Sequence, residues 1–388
     1  MEPASLLLDA REFGRKLCSW YVQNARQLPF RQTKDPYKIW ISEVMLQQTR
    51  VKAMTGSYEA FIDRFPDLAS LADATVDEVL AHWKGLGYYR RARNLHAAAR
   101  QMIDQSFTTV PTDYDQLTQF SGIGPYTASA VASISEDHPY AVVDGNVKRV
   151  IARLFNQNMS DRAVKEEAQK LLIESKQLPS VLNQAMMELG ATVCLPSFAR
   201  CNDCAVRSHC AAFAYGGSEY ASTIPKRNKQ SPITLDVSVF GYQKKMNGTT
   251  LYGLVKNSNG LFLKEEPMFP YRASSYDEVV YESDLLKENH DVTNYPKAGT
   301  FSHSIMNWRI KASVFLLSVE GLGKVQIRSM QWFTEHDINQ KLHSSFSHKT
   351  FTLLRKSVEA QTDDTMTDQP GRVKKSRNLK AKKKNLHQ

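Results

Sequence analysis

Four of the five cysteines of the chain lie in one short segment, and their spacing constrains the fold more than any other feature. Cys194, Cys201, Cys204 and Cys210 are separated by six, two and five residues, and the fifth cysteine is Cys18. Four thiolates in one loop can close on a single metal centre, whereas disulfides require an oxidising compartment. Structural zinc usually takes two tight cysteine pairs, and only one such pair is present here. The layout therefore favours a [4Fe-4S] cluster over zinc, and either metal over unligated cysteines.

Length and composition predict a protein of two domains. At 388 residues, with 42% hydrophobic residues, the chain exceeds one ordinary domain and can bury sizeable cores. No run of about 18 apolar residues is present that could span a membrane. Residues 1 to 28 lack the apolar core and cleavage site of an export signal. We expect a cytoplasmic protein with no membrane partner.

The positive charge is concentrated at the C-terminal end. The net charge is +10, but residues 372 to 388 contribute eight Lys/Arg and no acid, which leaves +2 for the rest of the chain. Such a segment is expected to be disordered, and it either adds salt-sensitive affinity for nucleic acid or only improves solubility. Nucleic-acid binding must then be argued from local sites in the folded part.

The pattern of residues changes near Pro232. Before it, from Leu6 to about Gly216, short amphipathic helices alternate with turn signals. After it, period-two alternation predicts strands, followed by a helix from His336 to Val358. The predicted strands are Ile233–Val239, Leu251–Val255, Leu261–Leu263, Ile310–Val319 and Val325–Ile327. We predict an all-α domain over 1–220, a linker over 221–232, an α+β domain over 233–360 and a disordered basic tail over 361–388.

A glycine hairpin and two acidic positions suggest chemistry on DNA. Gly122 and Gly124 stand between two helical patterns, where backbone N–H groups and a helix N-terminus can approach a phosphate. About twenty residues later, Asp144 and Asn146 open another helical pattern. Glu43 is the lone carboxylate of an apolar helical pattern, so burial would raise its pKa and suit it to general acid catalysis, unless it simply faces solvent. Two carboxylates in different environments are what cleavage of a glycosidic bond requires.

The order of these motifs resembles one enzyme family. The matching segments are Ser42–Thr49, Gly85–Ala92, Gly122–Gly124, Asp144–Asn146 and the four cysteines. Together they resemble the helix-hairpin-helix, iron-sulfur DNA glycosylases, and within them the MutY-type adenine DNA glycosylases. The resemblance implies that the first domain is a helix-hairpin-helix glycosylase domain whose loop 194–210 holds a [4Fe-4S] cluster. Endonuclease III, the nearest rival, carries a Schiff-base lysine where this chain has Tyr126.

The resemblance implies a monofunctional adenine DNA glycosylase that acts in base excision repair. Glu43 would protonate adenine N7, and Asp144 would stabilise or trap the positive sugar. Tyr126 and Asn146 would orient Asp144 and the sugar. The implied partner is double-stranded DNA that contains adenine opposite 8-oxoguanine or guanine. We expect a monomer associated with the nucleoid in the cytoplasm.

The resemblance also implies an adenine pocket and a set of DNA contacts. The family usually has Leu-Pro-Trp-Arg where this chain has Phe30 in place of the tryptophan, which predicts a similar, looser pocket. A basic run at Arg90, Arg91 and Arg93 favours a DNA-facing loop next to Tyr88. Within the cysteine loop, Arg200 and Arg207 are expected to face phosphate. The implied adenine pocket comprises Arg26, Leu28, Phe30, Arg31, Leu46, Val51 and Gln184, and the implied DNA contacts are Gln48, Thr49, Leu86, Tyr88, Gly122 and Gly124.

The second domain resembles the Nudix-like domain by which this family recognises 8-oxoguanine. It lacks the glutamate-rich motif of a Nudix hydrolase, so we expect no nucleotide hydrolysis. The family's Phe-Ser-His segment occurs twice, at 301–303 and at 346–348. We choose the first, which lies in a predicted turn, and expect Phe301, Ser302 and His303 to read the oxidised purine.

The sequence also allows two other functions. An endonuclease III-like glycosylase and lyase acting on oxidised pyrimidines would cut the backbone efficiently, although Tyr126 counts against it. A metal-stabilised, non-catalytic DNA-binding protein would tolerate changes at Glu43 and Asp144.

Overall fold

The chain folds into two compact units, Met1–Gln230 and Ser231–Gln388. The computed structural model describes residues 9–49, 51–225, 231–264, 266–275, 278–283, 295–305, 307–319 and 330–367. The predicted strand Val325–Ile327, residues 226–230 of the predicted linker and the tail from 368 lie outside these residues. None of the helices in the described ranges is long and apolar enough to cross a membrane.

The first unit is built from helices, as the sequence predicts. Short loops and two 3-10 helices, Cys201–Asp203 and Arg207–His209, connect them. A third 3-10 helix spans Pro29–Arg31. The helices are α1 Ala10–Asn24, α2 Pro36–Leu46, α3 Val51–Arg64, α4 Leu68–Asp73, α5 Val76–His82, α6 Arg90–Asp104, α7 Tyr114–Leu117, α8 Pro125–Glu136, α9 Gly145–Leu154, α10 Asp161–Ser175, α11 Pro179–Thr192 and α12 Ala211–Ser222.

Local capping explains where several of these helices begin. The side chain of Asp35 accepts the N–H of Tyr37 before α2, and Pro36 fills the first helical position, where no N–H is needed. Asp67 and Thr75 form capping boxes at the starts of α4 and α5. These side chains fix where α2, α4 and α5 begin.

Three helices form the interior of the first unit. Eight of the eleven residues of α2 and nine of the twelve of α8 are buried, as is most of α11. A helix that is apolar all round must be buried on every side, and α8 packs against both α2 and α11. The few polar side chains on these helices are therefore held among packed apolar ones, and Glu43 is one of them.

The second unit is a mixed sheet with two helices, which agrees with the predicted α+β class. The elements are β1 Ile233–Met246, β2 Thr249–Lys256, β3 Pro267–Met268, β4 Tyr271–Ser275, β5 Glu278–Glu282, β6 Lys297–Ile305, β7 Trp308–Ser318, β8 Gln331–Phe333, α13 Glu335–Lys341 and α14 Ser345–Thr367. The order β3-β2-β1-β4-β5 is extended by β7 beside β1, by β6 beside β7 and by β8 beside β2. Only the β1 and β7 pair is parallel within the described strands.

Several boundaries differ from the sequence-based expectation. Leu261–Leu263 is not a strand, although Phe262 is buried in the core. The helix expected from His336 to Val358 is two helices, because the backbone of Leu342 is extended and ends α13. α14 then continues to Thr367, beyond the expected end of the domain at 360.

Alternation along β1 builds the core of the second unit. Leu235, Val237 and Val239 are buried on one face, and α14 covers the core with Phe346, Phe351 and Leu354. α14 lies close to the sheet at Gly241, where an added Cβ would fall 2.3 Å from a methyl group of Leu354. Glycine is required there for close packing rather than for backbone conformation.

Candidate active site

Glu43 and Tyr126 form a buried hydrogen-bonded pair between α2 and α8. The phenol of Tyr126 donates to Oε2 of Glu43 at 2.6 Å, and Glu43 is only 7% exposed. Burial raises the pKa of Glu43 above its ordinary value, against the opposing effects of the Tyr126 hydrogen bond and the Arg31 charge. Burial and the charge of Glu43 also raise the pKa of Tyr126, so the phenol keeps its proton. Glu43 does not face solvent, and the sequence-based expectation of a desolvated carboxyl holds in the structure.

Asp144 is fixed as the N-cap of α9. Its Oδ1 accepts the backbone N–H of Val147 at 2.7 Å, and its Oδ2 accepts Nδ2 of Asn146 at 2.8 Å. The N-terminus of a helix favours negative charge, so both these hydrogen bonds and the helix dipole stabilise the carboxylate. The charge of Asp144 contributes to the raised pKa of Glu43. The structure therefore brings together the four residues for which catalytic roles are expected.

Glu188 is a site residue that the sequence reasoning missed. It lies on α11 with no exposed surface, and its carboxylate is bound by Arg26 through Nε at 2.6 Å and Nη2 at 2.8 Å. Nη1 of Arg31 also donates to Oε2, the oxygen that accepts Nη2 of Arg26. Burial alone would raise the pKa of Glu188, but the two arginines outweigh it and the pKa is lowered. A lone carboxylate in the apolar pattern 185–190 was the available signal, and it is the same signal that singled out Glu43.

The remaining residues of the expected adenine pocket line or support this region. Leu28 and Phe30 are buried, and Phe30 packs edge-on against Tyr58 with ring centroids 5.7 Å apart. Leu46 and Val51 are partly buried against the same core. Gln184 accepts a hydrogen bond from Tyr21 at 3.2 Å and donates to the carbonyl of Ser180. Phe30 thus serves as a packed apolar wall.

The residues expected to contact DNA lie on two exposed turns and a hairpin. Gln48 and Tyr88 are exposed, and both have left-handed backbones, with φ of 58° and 50°. Leu86 is buried, and its side chain is not exposed to contact a base in this conformation. Gly122 has φ of 75°, and a Cβ there would lie 2.6 Å from that of Asn94. Gly124 caps α8 and is exposed.

The four cysteines of the loop line one cavity together with Arg153, Arg200 and Arg207. Among the described residues, no three Cys, His, Asp or Glu side chains are grouped so as to hold a single metal ion. Nη1 of Arg153 lies 3.2 Å from Sγ of Cys194, and its buried Nη2 has no protein partner within the described ranges. Burial raises the pKa of Cys204 to about 12, so a bound metal would be needed to hold its thiolate. An all-thiol donor set beside an unsatisfied buried cation fits an anionic iron-sulfur cluster.

Arg149 connects the cysteine segment to the carboxylate site. Its Nε donates to the carbonyl of Cys194 at 2.8 Å, and its Nη2 donates to Oδ1 of Asn146 at 2.9 Å and to the carbonyl of Gly190 at 2.7 Å. A Cβ at Gly190 would lie 2.6 Å from the Cβ of Asn146, so α9 and α11 cross closely here. The position of Asn146, and through it Asp144, depends on this crossing.

The first Phe-Ser-His segment lies within β6, so the expected turn is wrong. Phe301 and His303 face α14, where the ring of Phe346 lies 5.2 Å and 5.9 Å from theirs. Ser302 is exposed on the opposite face of the strand, beside Lys311 of β7. The second Phe-Ser-His segment lies in the first turn of α14, and its Phe346 packs against the first segment.

A family model identifies the class to which this site belongs. The model, described as "HhH-GPD superfamily base excision DNA repair protein", matches residues 41–174. That range contains the carboxylate pair, the tyrosine and the glycine hairpin. The fold and the site thus define the first unit as a helical base-excision DNA repair domain of this superfamily.

Curated relatives specify the family further. The chain is 35% identical over 282 residues to "Adenine DNA glycosylase" of Buchnera aphidicola subsp. Schizaphis graminum, which covers 71% of this chain and 78% of that protein. It is 39% identical over 234 residues to the protein of the same name from Rattus norvegicus, covering 56% of this chain and 45% of the relative. The chain belongs to the adenine DNA glycosylase family.

The coverage of these relatives differs. The alignments span 45% of the rat protein and 58% of the one from Buchnera aphidicola subsp. Baizongia pistaciae, so the chain spans about half the length of these curated relatives. Among solved structures, a thermostable thymine-DNA glycosylase matches with 26% identity and a TM-score of 0.49, covering 53% of this chain and 97% of that chain.

Proposed function

We propose that this protein is a monofunctional glycosylase that hydrolyses the N-glycosidic bond of adenine opposite 8-oxoguanine, and opposite guanine, in duplex DNA. The observation that carries this proposal is the buried Glu43–Tyr126 pair beside the helix-capping carboxylate of Asp144. A proton donor and a fixed negative charge are the two groups that cleavage through an oxocarbenium-like state requires.

The hydrogen bond from Tyr126 supports one position for the proton of Glu43. Because Tyr126 donates to Oε2, we expect neutral Glu43 to carry its proton on Oε1. Transfer of that proton to adenine N7 lets the C1′–N9 electron pair leave with the base. The positive charge on the sugar is then stabilised by Asp144, whose two oxygens are already oriented by Val147 and Asn146. Water adds to C1′, and the proton that it loses returns to Glu43.

The absence of an amine at position 126 determines what happens to the backbone. A lysine there would form a Schiff base with C1′ and lead to strand cleavage. The phenol of Tyr126 keeps its proton and is committed to Glu43. We therefore expect an abasic site in an uncut strand.

The adenine is expected to enter the pocket next to Glu188. Phe30 and Leu28 supply buried apolar walls, and Arg26, Arg31 and Glu188 form a fixed polar edge. A base inside a duplex must first be extruded, which costs a few kcal/mol. Gln48 and Tyr88, on exposed turns, are expected to fill the gap that it leaves, and the glycine hairpin is expected to hold a phosphate.

The second unit is proposed to be a Nudix-like domain that recognises the opposing 8-oxoguanine. Ser302 is exposed on β6, which pairs only with β7 among the described strands. Its hydroxyl and the backbone groups on the outer side of β6 can therefore meet a purine edge. His303 packs on Phe346 and is expected to support this strand rather than read the base.

The cysteine loop is proposed to hold a [4Fe-4S] cluster through Cys194, Cys201, Cys204 and Cys210. When bound, the cluster supplies metal–sulfur bonds that fix the fold of the loop. Arg153 would neutralise part of its negative charge. Iron and acid-labile sulfide should be lost from a Cys204→Ser variant and kept in Cys18→Ala, since Cys18 is a free buried cysteine of α1. Stoichiometric zinc without sulfide in the native protein would rule out the cluster.

A single-turnover assay tests the enzymatic proposal. The substrate is a duplex with one central 8-oxoguanine·adenine pair, and the products are analysed with and without alkali. We expect free adenine and breaks only after alkali, with Glu43→Gln slowed by about 10²–10⁴-fold, the usual contribution of general acid catalysis. Breaks without alkali, together with a borohydride-trapped adduct, would instead support the endonuclease III-like reaction. DNA binding with no adenine release would support the binding-only alternative.

A further inference from the structure

The side chain of Arg91 points into the protein, although it lies in a basic run that suggested contact with DNA. Its guanidinium is half-buried at the start of α6. Nη1 donates to the carbonyls of Val44 and Met45 at 2.8 and 2.9 Å. These carbonyls end α2, where a helix has unpaired acceptors and favours a positive charge.

The other amino group of Arg91 binds a different segment. Nη2 donates to the carbonyls of Leu86 and Gly87 at 3.1 and 3.0 Å and to Oγ1 of Thr49 at 3.2 Å. Its Cζ also lies 5.2 Å from the ring centroid of Trp83 and 5.7 Å from that of Tyr88. One guanidinium thus bridges the turn after α2 and the turn before α6.

Each of these two turns carries a residue in a strained conformation. Gln48 and Tyr88 have φ of 58° and 50°, in the left-handed region that costs about 1–2 kcal/mol for residues other than glycine. Such conformations persist only where the surroundings fix them. Arg91 supplies that fixation to both. Three of its five hydrogen-bond acceptors lie within four residues of Gln48, and the other two lie within two residues of Tyr88. Burial lowers the pKa of Arg91 to about 10, which still leaves it charged at neutral pH.

We propose that Arg91 is a positioning residue that holds Gln48 and Tyr88 together as one rigid wedge, and that extrusion of a base from duplex DNA depends on it. The inference rests on the proposed function, since the wedge matters only if a base is extruded. In this role Arg91 acts directly on neither the DNA nor the reacting atoms. Its effect is exerted through the two exposed side chains.

The test compares Arg91→Lys and Arg91→Met with Arg90→Met, a change at the exposed neighbouring arginine. Extrusion is followed by the fluorescence of 2-aminopurine placed at the target position, and excision by single-turnover rates on an 8-oxoguanine·adenine duplex. We expect Arg91→Met to lower the fluorescence change and to slow excision by about 10- to 100-fold, the effect of losing one or two charge-assisted hydrogen bonds. Arg90→Met should weaken DNA binding at most and leave the fluorescence change at saturation intact.

Two further measurements separate positioning from a general loss of structure. The defect of the Arg91 variants should shrink when the adenine lies opposite an abasic analogue, because less extrusion work is then required. In a double-mutant cycle, Arg91→Lys should add little to the effect of Tyr88→Ala, because both changes act through the same wedge. If Arg91→Met does not fold, the milder Arg91→Lys provides both results.

The outcomes distinguish this inference from the proposed function. Equal fluorescence changes in the native protein and Arg91→Lys, or fully additive effects with Tyr88→Ala, would refute the role of Arg91. A normal fluorescence change without adenine release would refute only the proposed chemistry. No extrusion by the native protein would refute both.

Discussion

Removing one hydroxyl group, in Tyr126→Phe, should move the pH dependence of excision in a direction that the structure specifies. The Tyr126 phenol donates to Glu43 at 2.6 Å, and this hydrogen bond favours the ionised carboxylate. Without it, the effect of burial is opposed only by the charge of Arg31. The pKa of Glu43, already raised, should therefore rise further in the variant.

The size of the shift follows from the strength of the bond. A hydrogen bond to a charged group contributes about 1.5–3 kcal/mol, and one pKa unit corresponds to about 1.36 kcal/mol. The upper limit of the shift is thus about two units, and water entering the vacated space would reduce it to about one. A general acid is active while protonated, so the rate falls as the pH rises through its pKa. Tyr126→Phe should extend the active range to higher pH.

The assay is the single-turnover rate of adenine release at saturating enzyme, measured from pH 5 to pH 9.5. Saturation makes the alkaline midpoint report the pKa in the enzyme–DNA complex. Glu43→Gln should abolish this limb. Tyr140→Phe should leave it in place, because Tyr140 stacks on Tyr114 and does not contribute to the shifted pKa of Glu43. An alkaline midpoint that is unchanged or lower in Tyr126→Phe would refute the assignment of Glu43 as the proton donor.

Four other substitutions have defined outcomes. Glu188→Gln leaves two arginines without their buried partner and should cost about 3 kcal/mol, the low end of the range for breaking a buried pair, because Arg26 is 37% exposed. Urea unfolding at pH 7 should show this difference in unfolding free energy between the native protein and the variant. The difference should disappear as the pH falls through the lowered pKa of Glu188, because a protonated Glu188 no longer pairs with the arginines. Arg149→Met should slow adenine release by about 10- to 100-fold through misplacement of Asn146, with iron content and DNA affinity retained. Ser302→Ala should reduce the ratio of rates on 8-oxoguanine·adenine and guanine·adenine pairs, whereas His303→Ala should mainly lower the unfolding temperature of the second unit.

The helical first domain could be predicted because its signals are local. Capping residues, glycine hairpins and apolar periodicity act within a few residues, and each is visible in the sequence around Asp35, Gly122 and Asp144. Glu43 could be identified because an apolar helix is buried on most of its surface, so a carboxylate on it is expected to be buried too. Glu188 carries the same signal, but its function depends on arginines more than 150 residues away in sequence, and no local pattern indicates that pairing.

Arg91 shows a limit of local patterns, because a basic run does not fix the direction of each of its side chains. A run of arginines next to an exposed tyrosine indicates a positively charged surface, and Arg90 is indeed exposed. Arg91 is one residue further along α6, and a rotation of about 100° per residue places it toward the end of α2. Charge patterning identifies a basic segment, but it cannot tell which of its members instead satisfies carbonyls inside the protein.

The two Phe-Ser-His segments pack against each other, so the second copy supports the position of the first. The copy at 346–348 begins a helix, and its phenylalanine is buried against Phe301 and His303 of the other copy. Lys349, one residue later, donates to the carbonyl of Ser302 and lies over the ring of Phe301. Among the described strands, β6 is hydrogen-bonded only to β7. α14 packs against two side chains of β6 and donates to one of its carbonyls, and these contacts fix the position of the strand. The exposure of Ser302 then follows from strand alternation, because the contacts that bury Phe301 and His303 direct the residue between them to the open face.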